Sequence, residues 1–155
     1  MADKIRIAKK TSIKVSDGEF VICARTDAKG VYGLEECISR SKAYIDAGAD
    51  MIFPEGLHTA EEFKVVSEEL RNYKKNVFLL ASMTEFGKTP YIDINTFKEY
   101  GYNCVIYPVS TLRVAMKAID NFFVELKEKG TQKDHLDKMQ TRKELYELLG
   151  YEPGK

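Results

Sequence analysis

Charged and hydroxylated side chains cluster at four points in the sequence, each where a short apolar run ends. Residues 20–24 lead into Arg25-Thr26-Asp27, and residues 50–53 into Pro54-Glu55. Residues 77–81 lead into Ser82-Met83-Thr84-Glu85. Residues 103–107 lead into Pro108-Val109-Ser110, with Arg113 one helical turn later. Arginine holds a carboxylate well, because its planar fork donates two parallel hydrogen bonds. Two arginines together with the hydroxyls of Ser82 and Thr84 suit a small molecule carrying two or three carboxylates. Glu55 could move a proton, orient a metal-bound water or neutralise an arginine, and the residues alone leave these roles open. Arg25 and Glu55 also suit a plain structural ion pair at a strand end.

The elements that position these groups follow from periodicity. The four apolar runs read as strands bounded by turn residues, and each is followed by a helical pattern. After the first, Leu34, Cys37, Ile38, Ser41 and Ile45 recur at helical spacing before Gly48. After the second, Thr59-Ala-Glu-Glu62 reads as a capping box ahead of Phe63, Val66 and Leu70. Asp93 caps a short helix through Tyr100 that stops at Gly101. Ser110 opens a long helix whose expected buried stripe is Leu112, Ala115, Met116, Ile119, Phe122, Phe123 and Leu126. Two short helices then follow, one near Thr131 and one at the capping box Thr141-Arg-Lys-Glu144. Strand starts recur about every 25–30 residues, the period of a βα unit, which predicts parallel strands with right-handed crossovers. In such α/β folds the ligand site forms at the carboxyl ends of the strands, where the polar groups stand.

Four βα units fit either a small open sheet or half of a barrel, and periodicity does not choose. A complete eight-stranded α/β barrel needs about 250 residues, and the chain has 155. The segment before Phe20 reads as one amphipathic helix (Ile5, Ile7, Ala8) and a polar loop ending at Asp17-Gly18. It resembles the helix of a βα unit whose strand lies elsewhere.

Composition narrows the function classes. The 24 basic residues balance 24 acidic ones, which gives no electrostatic footprint for nucleic acid or an anionic membrane. No apolar run approaches the roughly 20 residues of a membrane span, and the first ten residues lack the apolar core of a signal peptide. Three cysteines without paired spacing fit a reducing compartment, so a cytoplasmic protein is expected. His58, His135 and the charge-alternating stretch 127–147 read as solvated surface.

Several segments resemble the isocitrate lyase/phosphoenolpyruvate mutase superfamily: Phe20-Val-Ile-Cys-Ala-Arg-Thr-Asp-Ala28, Ala47-Gly-Ala-Asp-Met-Ile-Phe-Pro-Glu55, Thr84-Glu-Phe-Gly87 and Gly130-Thr-Gln-Lys133. Met139-Gln-Thr-Arg-Lys-Glu-Leu-Tyr146 further resembles methylisocitrate lyases. The resemblance runs from about residue 3 to the C-terminus and implies the C-terminal half of a (β/α)8 barrel. It makes residues 1–155 a single partial-barrel domain, with 130–155 a helical extension that could exchange between subunits. It implies a Mg2+-dependent carbon–carbon cleavage of 2-methylisocitrate to pyruvate and succinate, with the metal acting as a Lewis acid. By the same resemblance Arg25 binds a substrate carboxylate and Glu55, the catalytic candidate, sits by the metal's water shell. Ser82, Met83 and Thr84 line the succinate end, while Arg113 and Arg142 contact substrate.

The departures carry weight. Ser82 stands where the family usually places asparagine, which removes an amide donor. The family's aspartate metal ligands, its Ser-Gly-Gly loop and its Cys-Gly-His loop precede the matching region and do not occur in these residues. Cys23, inside a strand, does not replace that loop. The expectation is a lyase half that is inactive alone, and that forms a homo-oligomer or pairs with a missing N-terminal half. A non-catalytic half-barrel binding subunits or a carboxylate is the alternative. Oxaloacetate hydrolysis or phosphonate-forming mutase chemistry on the same scaffold is a further one.

Overall fold

Four parallel strands in chain order organise the computed structural model, which describes residues 1–154. The chain divides into two compact units, the first ending at Ser110 and the second beginning at Thr111. In the first unit α1 (Ala2–Ser16) precedes β1 (Cys23–Thr26), and α2 (Lys29–Tyr32) and α3 (Leu34–Asp46) lead to β2 (Met51–Pro54). Then come α4 (Ala60–Tyr73), β3 (Phe78–Ser82), α5 (Ile94–Glu99) and β4 (Cys104–Ile106). The sheet order is β1-β2-β3-β4 and every pair is parallel. This is the alternating α/β architecture expected from the sequence. The observed strands start one to three residues later than the apolar runs, because residues 20 and 21 remain exposed ahead of β1.

Pairing Arg25 with Phe53 and Thr26 with Pro54 fixes which side chains share a face. Ala24, Thr26, Ile52, Leu79 and Ala81 are buried, and Cys23, Arg25 and Phe78 on the alternate positions are exposed. One face of the sheet is thus covered and the other is open. Beneath the covered face, Phe63, Val66 and Leu70 of α4 and Tyr44 and Ile45 of α3 complete the core. Phe63, Phe97 and Tyr102 meet edge to face, with ring centroids 5.2 to 5.7 Å apart, a geometry favoured by the ring quadrupoles.

Local chemistry explains the boundaries. Thr59 accepts a bond from Glu62 N–H at 3.1 Å and Asp93 accepts from Asn95 and Thr96 N–H, so each caps its helix. Gly101 follows α5 with φ +86°, and a Cβ there would lie 2.7 Å from Arg71 Nε. Arg71 donates to the Gly101 carbonyl and to Asn103, which ties α4 to the entry of β4. Asp50 does the same for α1: it accepts from Lys9 Nζ at 2.6 Å and from Ile22 N–H at 2.9 Å.

The second unit holds most of α6 (Ser110–Lys129), a 3-10 turn (Lys133–Lys138) and α7 (Arg142–Leu149). The capping box at Thr141 and Glu144 forms as expected. The expected burial of the α6 stripe does not: Leu112, Met116, Ile119 and Phe123 are exposed. A turn and one short helix are too few to cover a 20-residue helix from within the unit. His135 is also corrected. It is buried, with Nδ1 3.2 Å from Glu125 and its ring 5.3 Å from that of Phe122. No described helix is long and apolar enough to cross a membrane.

Phe97→Ala is expected to lower the unfolding free energy by about 3–5 kcal/mol, the cost of deleting a buried aromatic. Ile94→Ala on the exposed side of the same helix should change it by less than about 0.5 kcal/mol. Urea denaturation of both variants tests the assignment of α5's buried face.

Candidate functional site

The open face and the carboxyl ends of the strands meet at Arg25. Its guanidinium bonds Asp27 through Nε at 3.0 Å and through the terminal nitrogen at 2.7 Å. The same terminal nitrogen lies 3.5 Å from Glu55 Oε2, and the guanidinium sits 5.1 Å from the centre of the Phe53 ring. Period-two alternation places Arg25, Phe53 and Glu55 on one face, and parallel pairing brings them to one end. The bond to Asp27, with Glu55 adding attraction, holds Arg25 firmly charged, and the Asp27 carboxyl falls below its ordinary range for the same reason. Both side chains are more than half exposed, so the pair is an accessible cation rather than a buried brace.

Glu55 is the less exposed carboxylate, its side chain at 34%. Its own N–H donates to Thr26 O at 2.9 Å, and Gly56 N–H donates to Glu55 Oε1 at 3.2 Å. Counting on along both strands from the Met51–Phe78 pair sets Glu55 level with Ser82. Ser82 is half-buried and paired with Ile106 of β4. Met83 is buried, its N–H bonded to Ile106 O and its sulfur accepting from Ile92 N–H at 3.5 Å. Met83, Thr84, Glu85, Tyr91 and Tyr107 line a hollow of about 250 Å3 beside the strand ends. The Ser110 hydroxyl hydrogen-bonds the Glu85 carboxylate at its margin.

The first unit therefore brings together Arg25, Glu55, Ser82, Met83 and Thr84 at the ends of three adjacent strands. Arg113 and Arg142 belong to the second unit: Arg113 stands in the first turns of α6, and Arg142 is the first residue of α7, beside the Tyr146–Tyr151 ring pair.

Sequence reading gave Glu62 only the role of a cap partner. In the structure its Oε2 accepts from His58 N–H at 2.6 Å, and its Oε1 lies 3.1 Å from Lys29 Nζ. Lys29 follows β1 and His58 follows β2, so one carboxylate holds both strand-end loops. Thr89, beyond β3, adds a bond to Leu57 O at 2.7 Å. The signal available in the sequence was the Thr59–Glu62 spacing, which named the acceptor but not the cation it meets.

Among the described residues no group of three or more His, Cys, Asp and Glu is placed to hold a metal ion. Glu55, the carboxylate nearest the implied role, faces Arg25. The residues present do not themselves make up a Mg2+ site. Cys23 is exposed, but partial burial and the neighbouring Cys104 raise its thiol above the ordinary value. Burial pushes Cys37 up to about 11. Neither has the environment of a reactive thiolate.

Burial raises the Glu62 carboxyl, but His58 N–H and Lys29 outweigh it and bring it below the ordinary value. Its stabilising contribution is thus complete above about pH 4.3, the unfolded value, and is lost as pH falls through the lower folded value. Glu62→Gln should flatten the acid limb of a stability–pH curve, and Glu62→Ala should also speed exchange of the His58 amide. Thermal unfolding between pH 3 and 7 and amide exchange check the two effects.

A family model described as phosphoenolpyruvate phosphomutase matches residues 1–127. The chain is 52% identical over 147 residues to a probable 2-methylisocitrate lyase 1 of Corynebacterium glutamicum, covering 95% of this chain and 47% of that protein. It is 48% identical over 151 residues to the 2-methylisocitrate lyase of Bacillus subtilis, covering 97% and 47%. Among solved structures, 2,3-dimethylmalate lyase superposes with a TM-score of 0.84 at 33% identity, over 96% of this chain and 50% of that one. An oxaloacetate acetylhydrolase bound to its product oxalate superposes at 0.82 and 31% identity, over 96% and 49%. The chain spans about half the length of these relatives. It belongs to the phosphoenolpyruvate phosphomutase family, within the PEP mutase/isocitrate lyase superfamily, and is similar there to the 2-methylisocitrate lyases.

Proposed function

We propose that this chain supplies the carboxylate-binding half of a carbon–carbon lyase that cleaves 2-methylisocitrate to pyruvate and succinate. The observation that carries this reading is Arg25, an accessible guanidinium held at the strand ends with Glu55 beside it. Identity supports the choice of reaction: it reaches 52% with a 2-methylisocitrate lyase and 31% with the oxaloacetate acetylhydrolase.

In this reading Arg25 grips one substrate carboxylate, which takes the place that Asp27 holds in the fork. Ser82 and Thr84 offer hydroxyl donors to the succinate end, and Ser82 gives a shorter reach than an amide would. The substrate hydroxyl loses its proton and becomes the carbonyl of pyruvate as the adjacent carbon–carbon bond breaks. The bonding pair moves to the carbon beside the succinate carboxylate, and that carbon then takes up a proton. Glu55, 3.5 Å from the Arg25 guanidinium, can hold or relay a proton near this centre. Mg2+ would supply Lewis-acid chemistry, with its direct ligands contributed from outside these residues. Arg113 and Arg142 are proposed as further substrate contacts from the second unit. Pairing with a chain segment that supplies the rest of the barrel is part of the proposal.

A chimaera joining this chain to the part of the Corynebacterium glutamicum relative that it does not cover tests the reading. The chimaera should release pyruvate from 2-methylisocitrate, and Arg25→Ala should lower kcat/KM by about 100-fold or more, on the order of 3 kcal/mol. Glu55→Gln should lower kcat more than it raises KM. A folded chimaera that binds carboxylates without turnover would favour a non-catalytic half-barrel instead.

A further inference from the structure

Arg25 belongs to the β1 ladder, whereas Asp27 and Glu55 lie just past the ends of β1 and β2, in loops that the ladder does not restrain. Their positions depend on what fixes those loops. Near the strands, Glu55 N–H reaches back to Thr26 O at 2.9 Å, and Ala28 N–H to Thr26 Oγ1 at 3.3 Å. Ala28 and Leu57, one in each loop, are buried, while Asp27 stays exposed. The loops also run close together: a Cβ on Gly56, whose φ is +78°, would lie 3.9 Å from Gly30 N. Farther out both loops converge on one side chain of α4. Lys29 Nζ lies 3.1 Å from Glu62 Oε1, and His58 N–H donates to Glu62 Oε2 at 2.6 Å. Lys29 follows Arg25 by four residues and His58 follows Glu55 by three. Glu62 itself stands on the first turn of a helix whose Phe63 and Val66 are buried, so the clasp has a fixed base.

We propose, on the reading of Arg25 as the anchor of a substrate carboxylate, that Lys29 and Glu62 are positioning residues: through the two loops they set the spacing of Arg25 and Glu55. A ligand carboxylate entering the Arg25 fork displaces Asp27, which precedes Lys29 by two residues. In a free loop, Asp27 would carry its backbone along, and the guanidinium would lose its orientation against Phe53 and Glu55. With Lys29 held, the exchange is confined to the Asp27 side chain. The same carboxylate holds the β2 loop, so Arg25 and Glu55 keep their 3.5 Å separation as the ligand arrives. Such preorganisation raises affinity by removing an ordering cost from the binding step. The clasp suits this task because the side chains of Lys29 and Glu62 are only 14% and 22% exposed, whereas a fully solvated pair would hold little. It is also more than an ion pair. His58 offers a backbone N–H, which only an acceptor at position 62 can take.

The Arg25 Nε–H resonance of the 155-residue chain and the kinetics of the chimaera with the Corynebacterium glutamicum segment test this role. In the chain, Lys29→Met should shift the resonance and speed its exchange with water by about 10-fold, with thermal unfolding still cooperative. In the chimaera, Lys29→Met and Glu62→Gln should each raise KM for 2-methylisocitrate about 10-fold with a smaller fall in kcat. Loss of folded protein would instead lower the apparent kcat at constant KM. Lys29→Arg, which keeps the cation, should restore both the resonance and KM. The reversed pair, Lys29→Glu with Glu62→Lys, should stay impaired, because an ammonium at position 62 cannot accept from His58 N–H. If Glu62→Gln fails to fold, Lys29→Met and Lys29→Arg carry both measurements. An unchanged Arg25 resonance or an unchanged KM in Lys29→Met would overturn the proposal, as would full recovery in the reversed pair. An unsubstituted chimaera without turnover would overturn the lyase reading, and the Arg25 resonance would then decide the positioning role alone.

Discussion

A parallel ladder sets the direction of every strand end, and in this chain that constraint gathers the polar strand-end groups at one end of the sheet. Arg25, Glu55 and Ser82 are far apart in sequence, yet the register fixed by Arg25–Phe53 and Met51–Phe78 sets Glu55 level with Ser82 and puts Arg25 two residues below them on the same face. Were one strand to slip by a single residue, its polar end group would turn to the helix-covered face. The residues that prevent slippage are the buried ones on that covered face. Ala24, Ile52, Leu79 and Ala81 have almost no exposed surface, and each would be driven to the open side. Packing on one face thus fixes which side chains stand on the other.

The polar ties outside the ladder act on the loops rather than on the sheet. Asp50 joins α1 to the entry of β1, Arg71 joins α4 to the entry of β4, and Glu62 joins the exits of β1 and β2. Lys29 and Glu62 form the least exposed of these pairs, with side chains at 14% and 22%. Arg25 and Asp27, by contrast, remain open to solvent. Ion pairs with little exposure rigidify the frame, while the exposed one can exchange its carboxylate for that of a ligand at small cost. The distribution of burial, more than the number of charges, separates the ties that hold loops from the charges left open to solvent.

Much of this was legible in the sequence, because strand–helix alternation and cap residues are local signals. The four strands, the helix at Thr59, the short helix after Asp93 and the capping box at Thr141 all stand where spacing put them. Strand starts were read early because Phe20 and Val21 are apolar yet exposed, and hydrophobicity alone cannot tell a buried strand residue from an uncovered edge. The α6 stripe failed for the same reason. Its periodicity is that of a helix with an apolar face, but periodicity reports the face and not what covers it. His135 erred in the opposite direction: its burial depends on Phe122 and Glu125, contacts that no local pattern announces. The strand-end placement of Arg25, Glu55 and Ser82 was legible because parallel α/β topology sets that end, whereas the clasp from Lys29 to Glu62 needed coordinates.

The open face raises the question of how such a sheet stays folded. A sheet covered on one side can be stable when that side is well filled, and here the helices α3, α4 and α5 supply large, fully buried side chains such as Phe97, Leu70 and Val66. The other side carries a mixture that suits neither bulk water nor a monomer's core: Phe78 and Cys23 low on the strands, Arg25 and Glu55 at their ends. Apolar at one level and charged at the next is the layering of a barrel interior, dry below and polar at the mouth. A wall closed over this face would meet an apolar surface at the level of Phe78 and a charged one at the level of Arg25.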